Sequence, residues 1–286
     1  LDEVIERFEV INDPAERKKF RASLPGIRRD AFETKVPLAR EPMAEAEKKY
    51  RRRSSYRQFS LRPISAESFG RFLGNLATID LDGRKKWLYP SGGGLYPVQT
   101  YVHVKPGRIE GIEGGLYYHH PVEHTLNLLE REPNITRDIH VPFINTPVFD
   151  EAAFSIILVA QLAAIAPGYG KLSVHFSTIE AGVMSYLLEL AALDEGLALC
   201  YMGSVDFERI REHFELDDSH VLLHSMVGGL MPNAEEVDDP TLTITDAEAL
   251  PGANKQELLL RKIRQLSPEQ QRTMIQELKK AKQSGG

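Results

Sequence analysis

Arg53-Ser54-Ser55-Tyr56-Arg57 sets two guanidinium groups, two small hydroxyls and their backbone N–H groups within five residues. Guanidinium forks and short hydroxyls are the donors that hold a phosphate, through charge-assisted bonds of fixed geometry. The pentad sits in a basic window: seven of the 35 Lys and Arg lie between Lys48 and Arg62, where no Asp or Glu occurs. Without that window the 286-residue chain has 28 basic against 41 acidic residues, so its net charge of −6 becomes −13 around a single cationic spot. A nucleic-acid surface needs positive charge over a broad face, so this balance speaks against such a partner and fits one small anion. Taken alone, the pentad also suits a solvated basic turn.

A second group of residues is Ser91-Gly92-Gly93-Gly94-Leu95-Tyr96-Pro97. Three successive glycines remove every Cβ where the backbone passes something flat or bulky, and they bare N–H groups to polar ligand atoms. No Gly-Lys-Ser/Thr follows, as a P-loop requires, and no strand precedes with a helix after, as a dinucleotide fingerprint requires. A flexible turn is the alternative. His119, His120 and His124 around a hairpin, with Glu123 as the one nearby carboxylate, form an incomplete metal set, and no metal is expected. The single cysteine, Cys200, rules out an internal disulfide, a CxxC pair and a multi-thiolate zinc site, and reads as a small buried hydrophobe.

The elements that must position these residues are legible in outline. Asp13-Pro14 starts a helix over Ala15 to Ser23, and another is expected from Met43 towards Arg52, so that the pentad forms a turn between helices. Ser65 caps a helix over Ala66 to Leu76, with Phe69, Phe72, Leu73 and Leu76 in one stripe. Val98–Val104 reads as a strand, Leu116–His119 and Thr125–Leu129 as a hairpin turning at Pro121, and Phe154–Ala160 as a strand covered on both faces. Ile179–Asp194, apolar around most of its circumference and stopped by Gly196, reads as a central buried helix. Strands at Ala198–Met202 and Val221–Val227 flank a short helix at Phe207–Phe214. Beyond them, Leu258 to Leu266 and a helix capped at Ser267-Pro268-Glu269 form a tail whose eight basic and three acidic residues suit a solvated face. The boundaries are a helical flank at 1–47, a main domain at 48–235 and a linker with an amphipathic helix at 236–286. The longest apolar run, Ile156 to Ala166, is broken by Gln161 and is too short to span a membrane. Leu1 to Phe8 is unlike a secretory leader, so a cytoplasmic location is expected, and the missing initiator Met fits a segment cut from a longer chain.

The Arg-x-Ser-x-Arg pentad, the Ser-Gly-Gly-Gly-Leu-Tyr-Pro turn and Glu180-Ala181-Gly182 on a hydrophobic helix resemble, in that order, the nitroreductase-like flavoproteins. Within them the chain is most similar to the McbC/SagB-type azoline dehydrogenases and to the oxidase domains of nonribosomal peptide synthetases. The similarity runs over about residues 50 to 232, including Met226-Val227-Gly228-Gly229. It implies an α+β nitroreductase-like sandwich, with a mixed, mostly antiparallel sheet and flanking helices, in an entwined homodimer that binds FMN at its interface. It places Arg53, Ser54 and Ser55 towards the FMN phosphate and Arg57 towards the ribityl chain and pyrimidine. Ser91, Gly92, Gly93, Gly94 and Leu95 would come from the second subunit, Glu180, Ala181 and Gly182 would lie by the ring edge, and Cys200, Met202 and Gly203 near the phosphate or dimethylbenzene end. The azoline dehydrogenases carry a Lys-Tyr pair twelve residues before that Glu, which falls here on Gly168-Tyr169. The tyrosine is kept and the lysine is not; Lys171 is the nearest replacement.

The function so implied is oxidation of a thiazoline or oxazoline to the aromatic thiazole or oxazole, on a peptide thioester carried by a peptidyl carrier protein or synthetase module. A base removes the acidic ring proton, flavin accepts the hydride, and O2 reoxidises it. Tyr169 and Lys171 are the catalytic candidates, Tyr169 as a relay or hydrogen-bond donor. Two other classes fit parts of the sequence: an NAD(P)H-dependent nitro- or quinone reductase on the same flavin, and a flavin-free scaffold that docks synthetase modules through its charged ends.

Overall fold

The computed structural model describes residues 13–28, 53–141 and 145–233, with the isolated positions 7, 8, 11 and 36. The chain falls into two units, residues 1–40 with 246–286 and residues 41–245. In the first, α1 (Pro14–Ala22) begins as its sequence dictates: the Asp13 carboxylate accepts the Glu16 N–H at 2.8 Å and Pro14 opens the first turn. The helix expected over 43–52, the tail helices and the boundaries at 47 and 235 lie outside the described residues.

In the second unit, α2 (Ala66–Gly74) is capped by Ser65, whose Oγ accepts the Ser68 N–H at 3.2 Å. Its stripe of Phe69, Phe72 and Leu73 is buried, and Leu76 follows just beyond its C-cap, Asn75. A two-stranded ribbon comes next, β1 (Ile79–Leu81) and β2 (Arg84–Lys86), which the sequence reading did not anticipate. Its signal is the Asp82-Gly83 dipeptide, with φ of 53° and 79°, the left-handed pair that a two-residue hairpin loop requires.

The main sheet comprises β3 (Val98–Val104), β4 (Gly115–His120), β5 (Thr125–Glu130), β6 (Phe154–Gln161), β7 (Leu197–Met202) and β8 (His220–Leu230). The spatial order is β5-β4-β3-β6-β8-β7, and every neighbouring pair is antiparallel; an isolated parallel bridge joins Ile64 to Ile109. The central strand β6 explains its own unbroken apolar sequence. Phe154, Ile156 and Leu158 pack with Phe69, Phe72 and Met184 on one face, while Ile157 and Val159 pack with Tyr101, Phe149 and Phe214 on the other.

Three helices complete the unit: α3 (Thr146–Glu151), α4 (Ala166–Tyr169) and α5 (Ser173–Asp194). The long helix starts at Ser173, not at the expected Ile179. Ser173, Val174, Ser177 and Thr178 are weak helix formers, but Ser173 and Ser177 pack inward and tertiary burial decides. The expectation of burial all round is also corrected. Ala181, Met184, Leu188 and Ala192 face the sheet, whereas Val174, Ile179 and Tyr186 are exposed, because α5 covers one side of a layered fold and no described element lies over its back. The run from Ala166 to Asp194 is long and apolar enough to cross a membrane, yet more than half of its apolar window is buried within the fold. Phe207–Phe214, expected as a short helix, becomes a turn followed by a 3₁₀ turn at Arg211–Phe214.

Candidate functional site

The glycine run is not slack. Gly92–Gly94 forms a 3₁₀ turn, with Gly93 and Gly94 at φ of 63° and 67°, a region that only glycine enters freely. Ser91 Oγ accepts the Tyr96 N–H at 2.8 Å and closes the loop across its base. Trp87 stacks on the Tyr96 ring at 3.9 Å, and Tyr89 meets that ring edge-on at 5.7 Å. Tyr169 lies directly against the turn: a Cβ on Gly93 would stand 2.8 Å from its phenolic oxygen. The phenol ring in turn packs edge-on against Phe176 at 4.9 Å, and Phe176 is the neighbour a Cβ on Gly92 would touch. Thus Ser91 to Leu95, the end of α4 and the start of α5 are one assembly within a single chain. Lys171 sits on the exposed 3₁₀ turn between α4 and α5, outside that contact.

Glu180 faces inward and holds the same turn from below. It is 2% exposed; Oε1 accepts the Val98 N–H at 3.3 Å, and the Ser91 hydroxyl is a further hydrogen-bond partner. Burial pushes its carboxyl up to about 7, against the pull of Ser91 and Val98. Among the described residues Oε2 has no partner, and neither has the buried Ser177 Oγ one turn earlier on the same helix. Its side chain therefore serves as an anchor for the glycine turn. Gly182 is exposed with nothing within 4 Å of where a Cβ would stand, so α5 is bare at that position, next to the buried Glu180 and Ala181.

The basic pentad lies at the far edge of the sheet. It is an extended segment and not the expected turn: the Tyr56 N–H donates to the Leu199 carbonyl of β7 at 3.0 Å, and Ser60 bridges to Leu230 of β8. The free edge of β7 offers unpaired backbone groups, and 53–60 takes some of them. Arg57 contacts only the Ser55 carbonyl, at 3.4 Å, and has no carboxylate partner among the described residues. Arg53 donates to Glu189 at 3.3 Å. Burial raises the Cys200 thiol while Arg57 pulls it down, which marks the guanidinium as a close neighbour of β7. Met202 is buried, and Gly203 beyond it is exposed with open space over its Cα.

The sequence profile of the nitroreductase family matches residues 50–229, a span that takes in the pentad, the glycine turn, α5 and the sheet up to Gly229. The chain belongs to the nitroreductase family. This family comprises flavin-binding oxidoreductases, most often with FMN. Among solved structures, this nitroreductase-family chain is similar to a chain of the E. coli microcin synthetase McbBCD complex, at 18% identity and a TM-score of 0.60, over 82% of this chain and 88% of that one. It is also similar to a Ralstonia eutropha JMP134 protein described as a nitroreductase, at 20% identity and a TM-score of 0.53, over 72% and 89% of the two chains. Both likenesses are of fold. No curated protein matches the sequence.

The residues of this family member fit an FMN. Arg57 is a half-buried cation with no counter-ion among the described residues, Gly182 and Gly203 leave bare backbone, and Gly93 and Gly94 form a left-handed turn free of Cβ atoms. A cleft of about 510 Å³ between α2 and the β4–β5 hairpin contains none of these groups. It holds His119 and His124, whose ring nitrogens lie 3.1 Å apart, with His124 Nε2 donating to the Gly70 carbonyl at 3.1 Å. Their nitrogens serve that hydrogen-bonded pair. Two residues beside the pentad escaped the sequence reading: Glu189 of α5, which accepts from Arg53, and Tyr201 of β7, whose hydroxyl donates to Glu189. Nothing in their local sequence marks them, since the contact joins positions 136 residues apart.

Proposed function

We propose that this chain is an FMN-dependent oxidase that aromatises a thiazoline or oxazoline, derived from a cyclised Cys, Ser or Thr, on a peptide held by the carrier protein of a nonribosomal peptide synthetase. The observation that carries the reading is the meeting of Tyr169, the glycine turn and Glu180, pieces that resemble the azoline dehydrogenases and are dispersed in sequence, in one assembly. The fold shared with a chain of the microcin synthetase complex supports it. FMN, when bound, takes two electrons from the ring and passes them to O2 as peroxide. The chain supplies the rest. Ser54 and Ser55 with Arg53 hold the phosphate, Arg57 places positive charge towards the pyrimidine side, and the glycine turn lets a flat ring approach the backbone. Tyr169 stands at the lip of that turn, where its hydroxyl orients the azoline or relays the proton leaving the ring carbon. Lys171, on the next turn, is the cation available to that proton path.

A second copy of the chain covers the exposed apolar back of α5, Val174, Ile179 and Tyr186, giving the homodimer that the resemblance implies. A lone buried cysteine suits the reducing cytoplasm.

The test is mass spectrometry of a carrier-bound thiazoline incubated with the FMN-loaded protein in air. Loss of two hydrogens with matching peroxide is the expected result. Brisk NADPH oxidation with a nitroaromatic and an untouched thiazoline would replace this reading with the reductase. A chain that takes up no FMN would favour the scaffold. Tyr169→Phe should keep FMN and slow the azoline reaction.

A further inference from the structure

The ribbon of β1 and β2 lies open to solvent, with every residue of both strands exposed. Its described ties to the body are at its root. There the Thr78 N–H donates to the Pro121 carbonyl at 2.8 Å, and Trp87, the residue after β2, stacks on Tyr96 at 3.9 Å.

Register decides which side chains share a face. Ile79 pairs with Lys86 and Leu81 with Arg84, while Asp80 pairs with Lys85 between them. Paired residues point the same way and successive ones alternate, so Ile79, Leu81, Arg84 and Lys86 form one face and Asp80 and Lys85 the other. The second face is satisfied within itself: Lys85 Nζ donates to Asp80 Oδ2 at 3.0 Å, and Oδ1 accepts the Gly83 N–H at 2.8 Å. The first carries two aliphatic side chains, Ile79 at 42% exposed and Leu81 at 46%, beside two cations that pair with no carboxylate among the described residues.

Charge on an exposed strand also discourages edge-to-edge pairing. That role needs no aliphatic pair on the same face, and an open ribbon gains no core by turning Ile79 and Leu81 outward. Cations flanking exposed aliphatic chains suit contact with an acidic protein surface. The chain's net charge is −6, so it repels such a partner on average and attracts it to a local cationic face, which fixes where the partner lands.

We propose that this face of the ribbon is the landing site for an acidic carrier domain that delivers the azoline. The root of the ribbon leads through Trp87 and Tyr96 to Ser91, whose Oγ accepts the Tyr96 N–H, so a carrier seated there stands beside the glycine turn its substrate must reach. This rests on the oxidase reading with a carrier-bound substrate.

The experiment presents one thiazoline thioester to the FMN-loaded full chain in two ways, on a peptidyl carrier domain of net negative charge and on free pantetheine. The parent should show the lower KM with the carrier, and that KM should rise with added salt. Arg84→Glu with Lys86→Glu should raise the carrier KM about tenfold, leaving kcat, FMN content and the pantetheine reaction unchanged. Leu81→Ser, which keeps the charges, should raise the carrier KM as well. Lys85→Gln, on the other face, should alter neither reaction. An unchanged carrier KM in both the charge-reversed and the Leu81→Ser chains overturns the proposal and leaves the oxidase reading standing. A charge-reversed chain that falls from dimer to monomer in light scattering overturns it too, giving the face to a second copy of this chain. Parent binding to phosphatidylserine vesicles that charge reversal abolishes, with the carrier KM unmoved, gives the face to a membrane instead. A protein that oxidises neither thioester removes both readings.

Discussion

At the scale of single residues, Glu180 and Gly93 carry opposite kinds of constraint. Glu180 is an acid whose pKa rises from 4.5 to about 7 on burial, so between those values the folded chain binds more protons than the unfolded one. Its contribution to stability is full below about 4.5 and declines until about 7, above which the cost is constant. That interval corresponds to roughly 3 kcal/mol. Glu180→Gln should therefore be the more stable protein at pH 8 and match the parent near pH 4.5, as urea unfolding at the two pH values would measure. Gly93→Ala meets a steric limit instead, with φ at 63° and a Cβ 2.8 Å from the Tyr169 oxygen. A loss of roughly 2 kcal/mol is expected. Tyr169→Ala in the same chain should recover the clash but not the backbone strain, and a double-mutant cycle separates the two.

At the scale of elements, the exposed back of α5 is the surface with most to gain from a partner. If the proposed dimer forms through this face, Ile179→Glu should convert it to a monomer in light scattering while leaving the far-ultraviolet circular dichroism unchanged, because Ile179 is half-exposed. The elements differ in how openly their sequences announce them. The cap at Ser65 and the stripe of Phe69, Phe72 and Leu73 gave α2 to within its C-terminal turn, and the β-branched run of β3 and the apolar run of β6 marked the sheet's centre. The start of α5 was hidden because serine and β-branched residues lower local propensity and only packing restores it. Its two faces were hidden because the buried side carries Ser177, Glu180, Ser185 and Glu189 while the exposed side carries Val174 and Ile179, so apolar periodicity cancels. The pentad and the glycine turn were legible as chemistry. Their settings, an extended edge beside β7 and a turn pinned by Glu180, depend on long-range pairings that no local pattern records.

At the scale of the molecule, buried histidines set the response to acid. Burial lowers His103, His119 and His140 each to about 4 from the ordinary 6.5. A histidine with a lowered folded pKa stabilises fully above 6.5, and that stabilisation is lost as pH falls towards 4, because the unfolded chain binds the proton more readily. Burial lowers His224 as well, and Glu180 works in the opposite direction over much of the same window, so four histidines stand against one acid. Acid unfolding is expected between pH 6 and 4 with an apparent uptake of more than one proton, read from circular dichroism against pH. The fold also contains its own optical gauge. The chain has one tryptophan, and it is the residue stacked on Tyr96 at the base of the glycine turn. Its emission thus comes from a single known place, and any event that lifts Tyr96 off the indole, or brings a yellow chromophore near it, changes the fluorescence of the whole protein without a label.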